Sequence, residues 1–336
     1  MTSNQIASGK LDIVAIGNAI VDVIASADDA FLKAEGLTKG GMQLIDATRA
    51  EALYGRMGPG REVSGGSAAN TLAGAAALGR SCAFVGQVAD DQLGSVFAHD
   101  IRAHGVRFDT PPRAGEPPTG RCLVLVTPDG ERTMNTLLGA SHYLPTQSLD
   151  EGLIRGASIL YLEGYMWDPE EPRRVMREAI RIARDAGTIV AMTLSVNFII
   201  ELHRADLQGL IDDGLIDILF VNDDEVRCLT QIEDIETAIA KVAAQVPLLV
   251  VTMGAEGAVA IKDGVRSSVA AEPVARVVDT TGAGDLFAAG FLAGHSEGRS
   301  VQDSLRMGAI AAAEVISHYG ARPEADLKVL VAAALG

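Results

Sequence analysis

The chain has 336 residues, of which 48% are hydrophobic and 21% charged, enough to bury the core of one large α/β domain or of two smaller ones. Its formal net charge of −16 at pH 7 argues against nucleic acid or an anionic membrane surface as a main partner. The three cysteines, Cys82, Cys122 and Cys228, are widely separated and lack metal-ligand spacing, which favours a reducing, cytoplasmic location.

The segment Met1 to Lys10 is polar and lacks the charged start and apolar core of a signal peptide. The longest apolar runs are shorter than a membrane span and contain glycine and charged residues. We therefore expect a soluble cytoplasmic protein that binds neither membranes nor nucleic acid.

The first part of the chain contains several strand-like segments. Leu11 to Gly17 is a short apolar run that ends in glycine and predicts a buried strand. Ile20 to Ala27 and Gln43 to Ile45 are also strand-like, with no evident helix between them. Two further arms flank the turn signal Pro128-Asp129-Gly130 and predict a hairpin over Cys122 to Asn135. Taken alone, these segments would form an irregular edge of a larger sheet.

The remaining pattern predicts helices and strands that alternate. Ser67 to Leu78 is rich in alanine and precedes Gly79, and Pro169 to Ala186 has helical spacing and precedes Gly187, so both predict helices. Short apolar runs between turn signals are Ile159 to Leu162, Thr188 to Leu194, Ile216 to Val221 and Leu248 to Thr252. Alternation of this kind predicts an α/β fold with a parallel sheet and helices on both faces.

The run Asp279-Thr280-Thr281-Gly282-Ala283-Gly284-Asp285 precedes the apolar stretch Leu286 to Ala293, which predicts a buried helix that begins near Gly284. A glycine turn at a helix start binds phosphate, and Asp285 could there remove a proton from an attacking hydroxyl. Alternatively, Asp285 only caps the helix. A Walker A loop is excluded because no lysine follows the glycines, and a dinucleotide fingerprint because Phe287 replaces its third glycine.

Two other acidic segments follow predicted strands. Asp22 lies five residues after Gly17 and could orient two adjacent hydroxyls, although a surface aspartate is the commoner outcome. Asn222-Asp223-Asp224-Glu225 could hold Mg²⁺ through water, whereas capping of the next helix, for example by Asp223, is the alternative.

These motifs resemble, in order and spacing, those of the PfkB (ribokinase-like) carbohydrate kinases. Asp279 to Phe291 is similar to the family's C-terminal signature, and Gly65 to Asn70 to its N-terminal substrate loop. Phe84 to Gly94 also matches, and the likeness extends from Asp12 to Pro323. The resemblance implies a ribokinase-like three-layer α/β sandwich with a central, mostly parallel sheet and a small β-rich lid.

The domain organisation that the resemblance implies has approximate boundaries. The large nucleotide-binding core would comprise residues 11–19, 63–115 and 140–336, and the lid residues 20–62 and 116–139. The family implies transfer of phosphate from ATP to an alcohol group of a small molecule, with Mg²⁺ and a monovalent cation such as K⁺, by a monomer or homodimer.

The resemblance also implies roles for individual residues. Asp285 would be the general base, Gly282, Ala283 and Gly284 would form an anion hole, and Arg132 would contact the transferred phosphate, unless it is merely a solvated strand residue. The acceptor would contact Asn18, Asp22, Gln43, Gly65, Gly66, Ser67 and Asn70. The nucleotide would contact Asn222, Thr252, Gly254, Gly257 and Thr281, and Glu225 would hold Mg²⁺ through water. Taken alone, Thr252 to Gly257 would be a hairpin turn, and Asp223 departs mildly from the family's usual glutamate.

Within the family, Gly17 to Asp22, Pro118 to Cys122 and Leu194 to Ile199 resemble the adenosine kinases. A nucleoside needs an apolar slot for its base. The candidates that would line this slot are Cys122, Met134, Thr136, Tyr165 and Phe198. We therefore expect adenosine to be phosphorylated on its 5′-hydroxyl to AMP, with a free sugar such as ribose or fructose as the alternative acceptor. A binding protein without catalysis would be expected to lose Asp285 or the turn before it, and both are intact.

Overall fold

The computed structural model describes residues 10–336, so the expectation about a signal peptide concerns residues outside the described part. Within residues 10–336, no helix is both long and apolar enough to span a membrane.

The strands are β1 Leu11–Ile16, β2 Ile20–Ser26, β3 Met42–Leu44, β4 Arg61–Gly65, β5 Cys82–Val85, β6 Val106–Phe108, β7 Gly120–Val126, β8 Arg132–Leu137, β9 Ala157–Glu163, β10 Ile189–Thr193, β11 Ile218–Asn222, β12 Leu248–Thr252, β13 Ala258–Lys262 and β14 Val265–Val269.

The helices lie between and after these strands. They are α1 Asp29–Ala34, α2 Ala47–Tyr54, α3 Ser67–Ala77, α4 Gln92–Ala103, α5 Glu151–Arg155, α6 Glu170–Ala186, α7 Asn197–Asp212, α8 Asp223–Thr230, α9 Ile235–Ala243, α10 Ala283–Ser296, α11 Val301–Val315 and α12 Leu327–Leu335. Short 3₁₀ turns occupy Gly139–Tyr143, Thr146–Ser148, Gly164–Trp167 and Gly254–Glu256.

The large sheet has nine strands in the order β14-β13-β12-β11-β10-β9-β1-β5-β6. Its strands from β12 to β6 pair in parallel, and β13 and β14 add an antiparallel edge. Alternate residues of a strand face opposite sides. Accordingly, Ile13 and Ala15 of β1 enter the core that contains α3, α4, α10 and α11, whereas Val14 and Ile16 enter the core that contains α6 to α9. This arrangement confirms the expected three-layer α/β sandwich.

A separate sheet of five strands has the order β3-β8-β7-β2-β4. The predicted hairpin forms β7 and β8, which pair antiparallel, and β2 pairs in parallel with β7. An irregular edge of the main sheet is therefore the wrong interpretation of these segments. The division into core and lid stays a prediction, and its boundary at residue 62 falls inside β4, which runs over Arg61–Gly65.

Two short helices interrupt the segment that was expected to contain strands alone. Asp28 and Asp46 cap α1 and α2, accepting hydrogen bonds from the backbone N–H groups of Phe31 and Arg49 at 2.7 Å each. Helices of this length produce little periodicity, so the capping aspartates were their clearest signal.

Small residues bring three helices unusually close together. A side chain at Gly74 of α3 would approach Leu286 of α10 to 2.5 Å, and one at Gly290 of α10 would approach the backbone oxygen of Met307 in α11 to 2.3 Å. Because α10 packs so tightly against α3, the first turns of these two helices lie side by side. This packing places the functional residues that follow.

Candidate active site

A cavity of about 560 Å³ lies between the carboxyl ends of the parallel strands and the five-stranded sheet. In open α/β sheets, ligands bind at this end of the strands. The sequence-predicted residues that line it are Asn18, Asp22, Gly66, Ser67, Asn70, Cys122, Arg132, Met134, Thr136, Tyr165, Phe198, Asn222, Glu225, Thr252, Thr281, Gly282, Gly284 and Asp285.

Five predicted residues are not part of this lining. Gln43 instead donates a hydrogen bond of 2.7 Å to the Oδ1 atom of Asn135, since its neighbours Met42 and Leu44 face the cavity and strand residues alternate. Gln43 therefore does not line this cavity, and its contact with the acceptor stays a prediction. The other four predicted residues that do not line the cavity are Ala283, Gly65, Gly254 and Gly257.

The backbone positions of these four residues explain why they do not line the cavity. Ala283 is the first residue of α10, and its N–H group already donates to the carbonyl of Thr280 at 3.2 Å, so the expected anion hole has one donor fewer. A side chain at Gly65 would lie 2.7 Å from the carboxylate of Asp22. Gly254 and Gly257 belong to the turn between β12 and β13, which is the hairpin interpretation of that motif.

Asp285 lies in the first turn of α10 and accepts hydrogen bonds from two side chains of α3. The Ser67 hydroxyl donates to Oδ1 at 2.6 Å and the Asn70 amide donates to Oδ2 at 2.9 Å. Burial raises the pKa of Asp285, while both hydrogen bonds lower it. Asp285 therefore does more than cap its own helix, because it is a half-buried carboxylate that lines the cavity.

The turn before α10 is fixed by its own contacts. Gly282 has a φ of 79°, which a side chain disfavours, and a Cβ atom there would lie 2.7 Å from that of Ala321. Asp279 accepts hydrogen bonds from the N–H groups of Thr281 at 3.0 Å and Gly320 at 2.9 Å. A helix N-terminus with a rigid glycine turn is suited to bind an anion.

Arg132 connects this turn to the five-stranded sheet. Its guanidinium forms a buried ion pair of 2.9 Å with Asp279 and donates to the hydroxyl of Thr281 at 3.1 Å. The interpretation of Arg132 as a solvated strand residue is wrong, since the residue is only 8% exposed. Its Nη2 atom has no partner among residues 10–336, and the residue lines the cavity, so this atom could donate to a ligand.

Asp22 lies on β2, opposite Asp285 in the cavity. Burial raises the pKa of Asp22 to about 6, and the positive charges of Arg322 and Arg132 partly offset that rise. Above pH 6 the group is an anion that can accept two hydrogen bonds from neighbouring hydroxyls.

Glu163 was not predicted, although its hydrogen bonds organise one end of the cavity. Its carboxylate accepts the Asn18 amide at 2.7 Å, the Asn18 N–H at 3.3 Å and the Ala68 N–H at 2.9 Å. The residue is 1% exposed, and burial raises the pKa of Glu163 to about 7. A glutamate at the end of the otherwise apolar strand β9 was the available signal.

Asn222 and Glu225 form a capping box at the start of α8. The Asn222 side chain accepts from the Glu225 N–H at 2.8 Å, and Glu225 accepts the N–H of Asn222 at 3.1 Å. The cap of this helix is therefore Asn222, whereas Asp223 pairs with Arg227. Burial raises the pKa of Glu225 to about 7, so a cation beside it would be favourable.

The donor set around Glu225 fits a hydrated magnesium ion. Within residues 10–336 no three histidine, cysteine, aspartate or glutamate residues are grouped as a metal site. Mg²⁺ commonly keeps several waters and binds one or two carboxylates together with substrate phosphates. A single buried carboxylate beside the cavity suits that mode.

One part of the cavity wall is mostly apolar. The predicted residues Cys122, Met134, Thr136, Tyr165 and Phe198 line it, and the structure adds Met42, Leu44, Val124 and Leu138. The polar residues His142, Asp168 and Ser195 also border the cavity and were not predicted. Ser195 has a φ of 69°, and its buried hydroxyl has no partner among residues 10–336. A strained polar residue in a cavity is a candidate for ligand contact.

Comparisons with known proteins agree with this geometry. A family model described as pfkB family carbohydrate kinase matches residues 11–327. The chain is 47% identical to the adenosine kinase from Sinorhizobium meliloti, over 97% of this chain and 100% of that one, with a TM-score of 0.91. It is 45% identical to a probable sugar kinase from Rhizobium etli CFN 42, over 97% and 99% of the two chains, also with a TM-score of 0.91.

The chain also matches part of a longer enzyme. The chain is 30% identical over 255 residues to the guanosine-inosine kinase from Escherichia coli K12, which corresponds to 73% of this chain. The match spans 58% of the length of that enzyme, which is less than two thirds.

Proposed function

Since the chain belongs to the pfkB family of carbohydrate kinases, we propose that it transfers the γ-phosphoryl group of ATP to the 5′-hydroxyl of a nucleoside, with adenosine as the preferred acceptor and AMP as the product. The observation that carries this proposal is the half-buried carboxylate of Asp285, which lines the cavity from the first turn of α10 and accepts hydrogen bonds from Ser67 and Asn70.

In this reaction Asp285 accepts the proton of the attacking hydroxyl. A general base of this kind must be ionised when the acceptor binds, and the donors Ser67 and Asn70 favour the ionised form. The N–H groups of Gly282 and Gly284 at the start of α10, with the guanidinium of Arg132, stabilise negative charge on the transferred group. Glu225 orients a hydrated Mg²⁺, which when bound neutralises charge on the ATP phosphates.

The acceptor lies with its hydroxyls toward Asp22 and its base toward the apolar wall. Asp22 accepts hydrogen bonds from two neighbouring sugar hydroxyls, and the close approach of Gly65 and Gly66 leaves room for the sugar ring. The apolar wall formed by Met134, Leu138 and Phe198 suits a purine ring. The similarity to the Sinorhizobium meliloti adenosine kinase supports adenosine among the nucleosides.

A kinase of a free sugar is the second candidate, and the 45% identity to the Rhizobium etli probable sugar kinase favours it. The two candidates differ in whether the apolar wall is used, because a free sugar leaves it without a partner. The guanosine-inosine kinase of Escherichia coli makes inosine and guanosine necessary members of any acceptor panel.

The deciding experiment measures kcat/KM for adenosine, inosine, guanosine, ribose and fructose with ATP and Mg²⁺, using a coupled assay for ADP. We expect adenosine to have the highest value. A sugar that exceeds every nucleoside would overturn the nucleoside assignment, and no ADP release with any acceptor would overturn the kinase assignment. Met134→Asp on the apolar wall is a useful companion, because it should lower kcat/KM for adenosine much more than for ribose.

The family resemblance also implies a monovalent cation such as K⁺, a monomer or homodimer and a cytoplasmic location. Replacing K⁺ by tetramethylammonium in the assay tests the first, and light scattering coupled to gel filtration tests the second. Fractionation of cells tests the third.

A further inference from the structure

Arg322 lies in the segment after α11 and is 9% exposed. Its Nε atom donates to the Ser64 carbonyl at 3.2 Å, and its Nη2 atom donates to that carbonyl and to the Ser64 hydroxyl, at 2.8 Å each. Its Nη1 atom donates to the Ala69 carbonyl at 2.5 Å. One side chain therefore bonds the last part of β4 and the first turn of α3.

The two residues that Arg322 bonds lie on either side of residues 65–68. This short loop and its flank carry the contacts that define the site. A Cβ atom at Gly65 would touch the Asp22 carboxylate, and Ser67 and Asn70 donate to Asp285. A shift of the loop would therefore change the surroundings of the Asp22 and Asp285 carboxylates.

The guanidinium of Arg322 is also a buried positive charge whose bonded acceptors are neutral. Burial lowers the pKa of Arg322 to about 10, which still leaves it charged at neutral pH. A buried charge is costly unless opposite charges lie near it, and Asp100, Asp22 and Asp285 supply those charges. Asp100 also bonds Ser64, the residue that Arg322 contacts. It accepts hydrogen bonds from the Ser64 N–H at 2.8 Å and from the Ser64 hydroxyl at 2.6 Å.

We propose that Arg322 is a positioning residue for phosphoryl transfer, whose guanidinium clamps both ends of the loop at residues 65–68 and faces the carboxylates of Asp22 and Asp285 with a fixed positive charge. This inference rests on the proposed function. It assigns a task to a residue of the C-terminal segment that does not line the cavity.

The charge of Arg322 gives the proposal a pH-dependent signature. The charged groups that act on Asp22 are Arg322, Arg132, Asp279 and Asp285. Asp285 is acted on by Arg322, and it in turn acts on Tyr161, Tyr165 and Glu163. Arg322 lowers the pKa of both Asp22 and Asp285. Removing it should therefore move the acid limb of the kcat/KM profile to higher pH.

The experiment compares Arg322→Met and Arg322→Lys with the wild type, from pH 5 to 9, using adenosine as acceptor. We expect R322M to lose about 10²-fold in kcat/KM at pH 6, because a misplacement of about 1 Å costs that much. The loss should shrink as the pH rises. R322K keeps the charge but cannot bond both ends of the loop, so its acid limb should stay near that of the wild type while its KM for adenosine rises.

Arg204→Met is the matched control, because Arg204 also donates to a backbone carbonyl, that of Cys228 at 3.2 Å, yet does not line the cavity. It should lower stability and leave the pH profile unchanged. A loss in R322M that is equal at every pH, or wild-type kcat/KM in R322M, would overturn the proposal. If R322M does not fold, wild-type kcat/KM in R322K has the same consequence.

A readout without turnover separates this inference from the proposed function. Aspartate labelled with ¹³C at the carboxyl carbon allows the titration of Asp22 and Asp285 to be followed by NMR, with Asp22→Asn and Asp285→Asn for assignment. Both titrations should move to higher pH in R322M even if no acceptor is phosphorylated. Unchanged titrations would contradict the role of the charge, whatever the substrate is.

Discussion

The hydroxyl of Ser67 donates a hydrogen bond of 2.6 Å to the carboxylate of Asp285, although the two residues are 218 positions apart in the chain. Ser67 is the first residue of α3, and Asp285 lies in the first turn of α10. The positive ends of two helix dipoles therefore converge on one carboxylate. This convergence explains how a partly desolvated carboxylate is tolerated beside a turn that is suited to bind another anion.

Asp285→Asn should lower kcat by about 10²- to 10⁴-fold, because the amide cannot take the proton of the acceptor. Binding of adenosine should change little, since the amide oxygen can accept from Asn70 and its NH₂ group can donate to the Ser67 hydroxyl, which is free to rotate. Steady-state kinetics and calorimetric titration with adenosine measure the two effects. Wild-type kcat in this variant would mean that Asp285 is only a structural residue.

Asp22→Asn should stabilise the protein without ligand and weaken acceptor binding. The pKa of Asp22 is raised to about 6, so the folded state holds its proton more tightly than the unfolded state. The contribution of Asp22 to the free energy of unfolding of the wild type therefore falls as the pH rises from about 4 to 6, and the variant lacks this loss. We expect an advantage of about 1–3 kcal/mol for the variant above pH 6 and almost none at pH 4.

Denaturant titrations at pH 4, 5, 6 and 7.5 measure this difference directly. Glu163 and Glu225 also contribute to the pH dependence of the free energy of unfolding. Their contributions are common to both proteins, so they cancel in the difference between variant and wild type. An advantage that does not depend on pH would contradict the assigned pKa. The KM for adenosine should rise in the variant, because Asp22 contacts the acceptor in the ground state and in the transition state alike.

Glu163→Ala should destabilise the protein by about 2–4 kcal/mol, because three buried donors on Asn18 and Ala68 lose their acceptor. Glu163→Gln keeps one acceptor oxygen and should lose less. Both variants should raise the KM for the acceptor by loosening Asn18. Equal stability of the Ala and Gln variants would show that the hydrogen bonds of Glu163 are not what holds this end of the cavity.

Ser195→Gly should be more stable than Ser195→Ala by about 1 kcal/mol, because glycine adopts a φ of 69° without strain. Both variants remove the unpartnered hydroxyl, so both should raise the KM for a ligand that it contacts. Gln231→Gly is the matched control, since Gln231 has a φ of 56° at the end of α8 and does not line the cavity. That variant should change stability without changing KM.

The five-stranded sheet should close over the acceptor. We expect adenosine alone to increase hydrogen-exchange protection in the hairpin around Asp129 and Gly130, because Cys122 and Met134 of the apolar wall belong to its strands β7 and β8. The turn at Gly254, which does not line the cavity, is the internal control and should not change. Identical exchange in the hairpin with and without adenosine would exclude closure on acceptor binding.

Much of the fold followed from local pattern. Gly187 ends α6 with a φ of 72°, as its place after a periodic segment indicated, and the strands β9 to β12 lie where short apolar runs predicted them. The register of the three-residue strand β3 had no such signal. Gln43 was expected in the cavity from the family resemblance alone, whereas its neighbours Met42 and Leu44 line it.

The residues of the site were predictable only where they belong to a motif. Asp22, Asn70 and Asp285 stand in recognisable runs and line the cavity. Glu163 and Arg322 act through partners 145 and 258 positions away, so the residues near them in the sequence do not indicate which groups they bond. Long-range pairing of buried charges is decided by packing, which local pattern does not contain.

The position of β1 has a consequence for how the protein is made. Among the strands of residues 10–336 this one is synthesised first, yet its neighbours in the sheet are β5, which begins at Cys82, and β9, which ends at Glu163. At about 5–20 residues per second, synthesis leaves the apolar strand without its second neighbour for roughly ten seconds. During that interval it can associate with other nascent chains. The chaperone capacity of the host should therefore affect the yield of folded protein more than it affects the stability of the folded state.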